Sequence, residues 1–292
     1  MNILLLGGSG QVGWELRRTL LPLGKIIAPN RAELDLADAD AIRTSVRRIA
    51  PDLIVNAAAY TAVEQAESEI DLAMAINGTA PAILAKEAAR LGAALVHYST
   101  DYVFDGAQPT PYREDDTPRP LNVYGASKLA GEQAVQAASG SYLILRTGWV
   151  YGKRGHNFLR SIAARAAQPR IEAIEIVDDQ YGAPTWCRLV AETTAAILAQ
   201  GVAGSGCTDF LTRHRGIYHL AACGQTTWFG FAQKILRALA PECQPIPIPA
   251  TQYPGKAKRP AYSVLACDKL EQRFGLALPT WESALELCLD ES

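Results

Sequence analysis

Apolar residues in the first half of the chain fall in short unbroken runs separated by amphipathic stretches. Asn2 to Leu6 (NILLL) reads as a buried strand and Gln11 to Leu21 as a helix. Lys25 to Ala28 is a second strand, Ala39 to Ile49 has helical period, and Leu53 to Asn56 (LIVN) is a third strand. An Ala-rich helical stretch covers Ile76 to Leu91, followed by a strand at Ala94 to Tyr98, a helix at Ala126 to Ala138 and a strand at Tyr142 to Arg146. Unbroken apolar runs mark strands buried on both faces, and strand–helix alternation implies right-handed crossovers. The pattern predicts an α/β fold, a Rossmann-like doubly wound parallel sheet with a smaller C-terminal lobe.

After Trp149 the rhythm loosens. Helical patterns at Phe158 to Ala167 and Leu189 to Ala199 still suit the sheet, and Ile217 to Leu220 suits its last strand. Gly201 to Arg215 reads as an exposed loop. The proline-rich stretch 241–260 cannot form a regular sheet interior, and the chain closes on a helix near Trp281 to Leu289. The expected division is a dinucleotide-binding unit over 1–148, completed by elements within 155–168 and 186–220. Residues 149–185 and 221–292 form the expected second lobe.

Composition narrows the function classes. The 292 residues carry 28 basic and 30 acidic side chains, net -2, which leaves no basic surplus for a nucleic-acid backbone. No apolar run approaches the ~18 residues of a membrane helix, so no membrane partner is expected. The opening MNILLLGGSG lacks the basic n-region of a signal peptide. Six scattered cysteines with no CxxC suit reduced thiols in a cytoplasmic protein. The four histidines show no metal-ligand spacing, so no metal site is expected from them.

The first candidate chemistry lies in the turn after the first strand. Gly7, Gly10 and Gly13 fit GxxGxxG between a strand and a helix. Side chains there would block the approach of backbone N–H groups to a pyrophosphate, and the helix N-terminus favours its charge. The second strand is followed by Asn30-Arg31, where NAD-binding folds often carry a carboxylate. An arginine suits a 2′-phosphate, which favours NADPH and leaves NADH possible. Asp35 and Leu36 follow at the adenine side of the sheet edge. Ala57, Ala58 and Ala59 end the LIVN strand with side chains small enough for a ribose and nicotinamide to lie against backbone.

The second lies further on. Tyr124 and Lys128 stand four apart on a predicted helix, so the ammonium sits beside the phenol. Such a cation is expected to lower the tyrosine pKa, as suits an acid that protonates an alkoxide. The pair follows the strand end Ser99-Thr100-Asp101, in the same cleft.

Together these segments resemble the extended short-chain dehydrogenases/reductases, and within them the dTDP-4-dehydrorhamnose reductase family. MNILLLGGSGQVGWEL, NAAAYTAVEQAE, VHYSTDYVFDG, PLNVYGASKLAGE, LRTGWVYG, DDQYGAPT and Arg259-Pro260 look like that family's segments, in order, along nearly the whole chain. The resemblance implies a cytoplasmic enzyme that reduces the 4-keto group of dTDP-4-dehydro-L-rhamnose with NADPH or NADH, supplying cell-surface polysaccharide such as O-antigen. It implies Tyr124 as proton donor, Lys128 on the nicotinamide ribose and Thr100 on the reacting oxygen. Gln11, Val12, Asp35, Leu36, Ala58, Ala59 and Tyr60 match cofactor-contacting positions, and Asp101 and Trp149 substrate-contacting ones. Arg259 is a candidate for the nucleotide diphosphate, on charge grounds.

Sister chemistries differ at one place. Related dehydratases follow Thr-Asp with Glu, whereas this chain has Thr100-Asp101-Tyr102 and lacks that base. Two alternatives stand beside reduction of this substrate: a reductase of another keto-sugar nucleotide, and a non-catalytic NADP-binding regulatory subunit. Retention of Thr100, Tyr124 and Lys128 argues against the second. The family is also associated with Mg²⁺ held by glutamates between two subunits. Glu15 and Glu291 stand at matching places but Arg188 occupies the third, so no metal is expected, and homodimer and monomer both stay open.

Overall fold

The short apolar runs become the parallel strands of one central sheet. The structure, a computed structural model, describes residues 1–290 apart from Ser139, Ser205 and Pro254. Strand β1 (Asn2–Leu6) is followed by α1 (Gln11–Thr19), β2 (Lys25–Ile27), α2 (Ala39–Ile49) and β3 (Leu53–Asn56). Two short helices, α3 (Val63–Ala66) and α4 (Ile70–Met74), lead through a π-helical stretch, Ala75–Thr79, into α5 (Ala80–Leu91). Then come β4 (Ala94–Thr100), α6 (Val123–Ala137) and β5 (Ser141–Thr147). The second half runs β6 (Val150–Tyr151), α7 (Phe158–Ala166), β7 (Ala173–Val177), β8 (Tyr181–Gly182), β9 (Thr185–Trp186) and α8 (Cys187–Ala203). It ends with α9 (Cys207–Arg213), β10 (Gly216–His219), β11 (Thr226–Thr227), α10 (Trp228–Leu239), β12 (Gln244–Ile248), α11 (Asp268–Phe274) and α12 (Trp281–Asp290).

The sheet has six parallel strands in the order β2-β1-β3-β4-β5-β10. Strand order reverses between β1 and β3, and such a switch point opens a crevice beyond the strands' carboxyl ends. Alternate side chains of each strand enter two cores. Ile3, Leu5, Val55, Val96 and Leu145 pack with Leu16 of α1 and Val190 and Leu198 of α8. Leu4, Ile54, Leu95 and Ile144 pack with Ile42 and Val46 of α2 and Leu84 of α5.

A second hydrophobic cluster joins Tyr151, Leu159, Ile162, Ile174, Trp186, Phe231 and Trp281. Helix α7 contributes Leu159 and Ile162 to it, so this helix belongs to the second cluster and not to the sheet, contrary to the sequence expectation. Conversely, Leu270 and Phe274 of α11 pack into the sheet's own core. The segment expected as an exposed loop is mostly helical: α8 runs to Ala203 and α9 covers Cys207–Arg213. Cys207, Phe210 and Leu211 recur at helical spacing and are buried, and this short apolar face outweighs the surrounding glycines.

The proline-rich stretch does form a strand, but only in a two-stranded pair, β12 with β7. The Gln244 N–H donates to the Glu172 carbonyl at 2.8 Å. Successive N–H groups of a strand point to opposite edges, so Pro245 and Pro247 take the unpaired edge, where a missing donor costs nothing.

Candidate active site

The glycine turn is closed by backbone packing. Gly7 has φ +78°, and a Cβ there would stand 2.5 Å from the Ala58 nitrogen. A Cβ on Gly13 would stand 2.0 Å from the Gly7 carbonyl oxygen. Both positions therefore require glycine for α1 and the 57–58 segment to approach the turn. Gly10 precedes α1 without any side-chain cap, which leaves first-turn N–H groups for an anion. The Gln11 carboxamide accepts from Asn157 Nδ2 at 2.8 Å, and Val12 packs between the sheet core under α1 and α8 and the cluster around Phe231 and Trp281. At the end of β3, Ala57, Ala58, Ala59 and Tyr60 are half-buried around the same turn, and the Ala58 N–H donates to the Asn56 side chain at 3.2 Å.

Past β2, the Asn30 Oδ1 accepts the N–H groups of Ala32 and Glu33 at 2.9 and 3.2 Å, so this carboxamide is used to cap its own turn. Arg31 is exposed beside it. Asp35 accepts the Ala37 N–H at 2.9 Å, and Leu36 packs against the cluster under α2 and α5.

The second wall of the crevice is the end of β4 against the start of α6. Thr100 Oγ1 accepts the Tyr102 N–H at 3.1 Å and donates to Asp101 Oδ1 at 3.0 Å. Helix α6 begins one turn earlier than its sequence pattern suggests, because Asn122 caps it by accepting the Gly125 N–H at 2.8 Å. Gly125 then lets α6 press onto the turn after β4: a Cβ there would stand 2.1 Å from the Tyr102 carbonyl oxygen. This contact brings Tyr124 beside Thr100, with its ring edge-on to Tyr102 at 5.8 Å. One turn on, Lys128 is buried and donates to the Tyr98 carbonyl at 2.5 Å.

The expectation of a lowered tyrosine pKa is not met. Desolvation pushes the Tyr124 phenol up to about 12, against a smaller opposing effect of Thr100. Burial brings Lys128 down to about 8, with Glu132 opposing. Asp101, packed against Gly148, is raised by burial to about 6. Trp149 has the left-handed φ of +50° and stacks flat on Trp228 at 3.5 Å. Arg259 Nη2 pairs with Glu64 Oε1 at 2.5 Å and its guanidinium lies beside Tyr102, which sets it at the rim of the same crevice.

One residue that sequence reading missed ties the two walls. Asn77, in the π-helical stretch, accepts the Tyr60 N–H at 2.8 Å and donates to the Tyr60 carbonyl and Ser127 Oγ, both at 3.0 Å. The only sequence signal was an asparagine inside an Ala-rich helical pattern. A π-turn is what aims it inward.

Residues 1–292 match the RmlD substrate binding domain family. The chain is 46% identical to the dTDP-4-dehydrorhamnose reductase of Burkholderia thailandensis, over 99% of this chain and 98% of that one. The chain belongs to the dTDP-4-dehydrorhamnose reductase family. It is 42% identical to the Escherichia coli K12 reductase over 100% of this chain and 98% of that one. It also superposes on the Bacillus anthracis reductase, solved in complex with NADP, with a TM-score of 0.89, 34% identity and coverage of 100% and 99%.

The reductase family's metal does not fit the described residues. Arg188 Nε donates to Glu192 at 3.1 Å, Glu15 is bonded by Arg18 at 3.3 Å, and Glu291 lies outside the described residues. A guanidinium offers donors and no acceptor, so Arg188 cannot supply the third ligand. A nicotinamide dinucleotide does fit: Gly10 opens α1 with no side-chain cap, so first-turn N–H groups remain for a diphosphate.

Proposed function

We propose that this family member reduces the 4-keto group of dTDP-4-dehydro-L-rhamnose to give dTDP-L-rhamnose, with NADPH preferred over NADH. The observation that carries the reading is Tyr124 beside Thr100, with Lys128 one turn below, across the crevice from the glycine turn. Gly7, Gly10, Gln11, Val12 and Gly13 would hold the dinucleotide's diphosphate on the α1 N-terminus. Asn30, Arg31, Asp35 and Leu36 would border its adenosine, and Ala57, Ala58, Ala59 and Tyr60 its nicotinamide half. When bound, the reduced nicotinamide supplies a hydride to the carbonyl carbon.

The protein's own part is to position the ketone and move one proton. The Tyr124 phenol, at about 12, stays protonated at neutral pH and gives its proton to the oxygen as charge develops there. Thr100 Oγ1 turns its hydrogen bond from Asp101 to the same oxygen. Lys128 stabilises the phenolate left on Tyr124 and holds the nicotinamide ribose. Asp101 and Trp149 contact the sugar, and Arg259 takes the nucleotide diphosphate in exchange for Glu64. On this reading the segments 149–185 and most of 221–292 form the sugar-nucleotide lobe.

Among the described residues no helix is long and apolar enough to cross a membrane. We place the reaction in the cytoplasm, as the family resemblance implies. Loss of NADPH absorbance on adding the keto-sugar nucleotide tests the proposal. Cofactor binding without turnover across a panel of keto-sugar nucleotides would instead mark a regulatory subunit. With Arg188 in place of a carboxylate, turnover and sedimentation should be the same before and after exhaustive EDTA treatment. A Mg²⁺-specific recovery of either would overturn that expectation.

A further inference from the structure

Polar residues line up across the sheet on its α6 side. Asn56 and His97 are register partners on β3 and β4, and Ser99, Arg146 and His219 are partners on β4, β5 and β10. All five are buried, as are Lys128 and Glu132 of α6. Glu132 and Arg146, each 1% exposed, are joined by two parallel bonds: Nε to Oε1 at 2.8 Å and Nη2 to Oε2 at 2.7 Å. The guanidinium also lies over the Phe104 ring at 5.0 Å. Lys128 and Glu132 are four residues apart, so they stack on one helix face.

The charges of this layer can be counted from every element that packs on it. His97, which shares a 3.1 Å bond with Asn56, is driven well below the usual histidine range by burial and by Lys128. Burial and Arg146 bring His219 down to about 3. Both imidazoles are therefore neutral. On the cleft side, the Tyr124 phenol is neutral and Asp101 is turned towards Thr100 and Gly148. Within the layer the two cations Lys128 and Arg146 thus share one buried carboxylate, Glu132, while Glu114 meets its outer edge by accepting the His219 N–H at 2.9 Å and Lys269 also acts on His219 from that edge. An arginine cannot release its proton in a protein, so any excess positive charge falls on Lys128.

We propose that Glu132 is a positioning residue for the reaction: clamped by Arg146, its carboxylate keeps the buried Lys128 ammonium charged and aimed at the cleft. Lys128 has lost its hydration and gained one backbone carbonyl in exchange, which by itself favours the neutral amine. Glu132 supplies the compensating charge from below. The two-bond fork on Arg146 fixes the position of that carboxylate, while the Lys128 ammonium keeps its bond to the Tyr98 carbonyl. A neutral lysine would neither stabilise a phenolate nor hold a ribose as strongly.

The proposal rests on the assignment of Lys128 to the reaction, and the test separates the two. Lys128→Met with wild-type turnover would remove that assignment. With Lys128→Met inactive, the proposal stands or falls on the pH profiles of kcat/KM for wild type, E132Q, E132D and E132Q/R146M, each with a melting curve. Wild type should hold a plateau and then lose rate as pH rises through about 8, where Lys128 gives up its proton. Removing the anion makes the ammonium less stable, so in E132Q the same limb should move to lower pH by about one unit, a roughly ten-fold loss at pH 8 relative to its own plateau. E132D, which keeps the charge, should restore the limb. If E132Q does not fold, because Arg146 has lost its counter-ion, E132Q/R146M removes a neighbouring cation along with the anion, and its limb should move in the same direction by a smaller step. A folded variant without the carboxylate that keeps the wild-type limb would overturn the proposal, as would E132D displaced as far as E132Q. A purely structural role would lower melting temperature and plateau and leave the limb in place.

Discussion

Under α1 and α8 the central sheet presents Ile3, Leu5, Val55, Val96, Leu143 and Leu145. Under α6 it begins the same way, with Leu4, Ile54, Leu95 and Ile144, and then turns polar at its carboxyl ends with Asn56, His97, Ser99 and Arg146. Both faces are equally buried. The apolar face gains stability from burial alone, at roughly 25 cal/mol per Å². The polar face gives up part of that gain, because buried polar groups must find partners and several here keep an unpaired atom: His97 Nε2, Ser99 Oγ and Arg146 Nη1. The contrast agrees with the proposed site. A sheet buried on both sides carries such groups where they serve the crevice beyond its strand ends, and Tyr124 and Lys128 stand above that end.

The comparison breaks most easily at Tyr124. Tyr124→Phe should retain cofactor binding and lose about 10²–10⁴-fold in kcat, the usual contribution of a positioned acid. A near-wild-type kcat would show that the proton comes from elsewhere. Next, Leu145 and Arg146 are neighbours in sequence that point to opposite faces. Leu145→Ala should cost about 2–5 kcal/mol of stability, read by denaturant unfolding, while its pH–rate profile keeps the wild-type shape. A displaced profile would mean that the faces are coupled and that the apolar one is not simply scaffold.

Asp101 sharpens the contrast, because function and stability should move in opposite directions there. Burial raises its carboxyl from 3.8 to about 6 in the folded protein. The folded state then binds more protons than the unfolded one between those values, so stability falls as pH rises through this window and stays lower above it. The cost at neutral pH is about 3 kcal/mol. Asp101→Asn should therefore raise the melting temperature at pH 8, with the gain fading below about pH 4, while turnover falls. A lower melting temperature at pH 8 would refute the burial argument. The smallest expected effect is at the exposed edge: Arg31→Glu should raise KM for NADPH more than KM for NADH, through repulsion of the 2′-phosphate. Equal changes would show that Arg31 faces solvent in the complex as well.

Much of the first half of the chain could be read from local pattern. β1, α2 and β3 fall where their apolar runs and helical periods put them, and the glycine turn follows from spacing alone. The start of α6 was less legible, because its cap is Asn122 and its approach depends on Gly125 meeting the Tyr102 carbonyl, a contact between segments apart in sequence. The same holds for Asn77, for α7's membership of the second cluster, and for α9, whose apolar face is only three residues wide.

By itself the sequence determined the strand–helix order, the glycines that must lack side chains and the spacing of Tyr124 and Lys128. These are properties of near neighbours, where sterics and periodicity act over a few residues. Tertiary structure decided the ionisation. Whether Tyr124 is raised or lowered, and whether Lys128 stays charged, depends on how much water each loses and which charges face it. Tyr124 met burial before it met a cation, so its pKa rose. Lys128 met Glu132 from its own helix and, through Glu132, Arg146 from a strand whose place in the sheet no local pattern encodes.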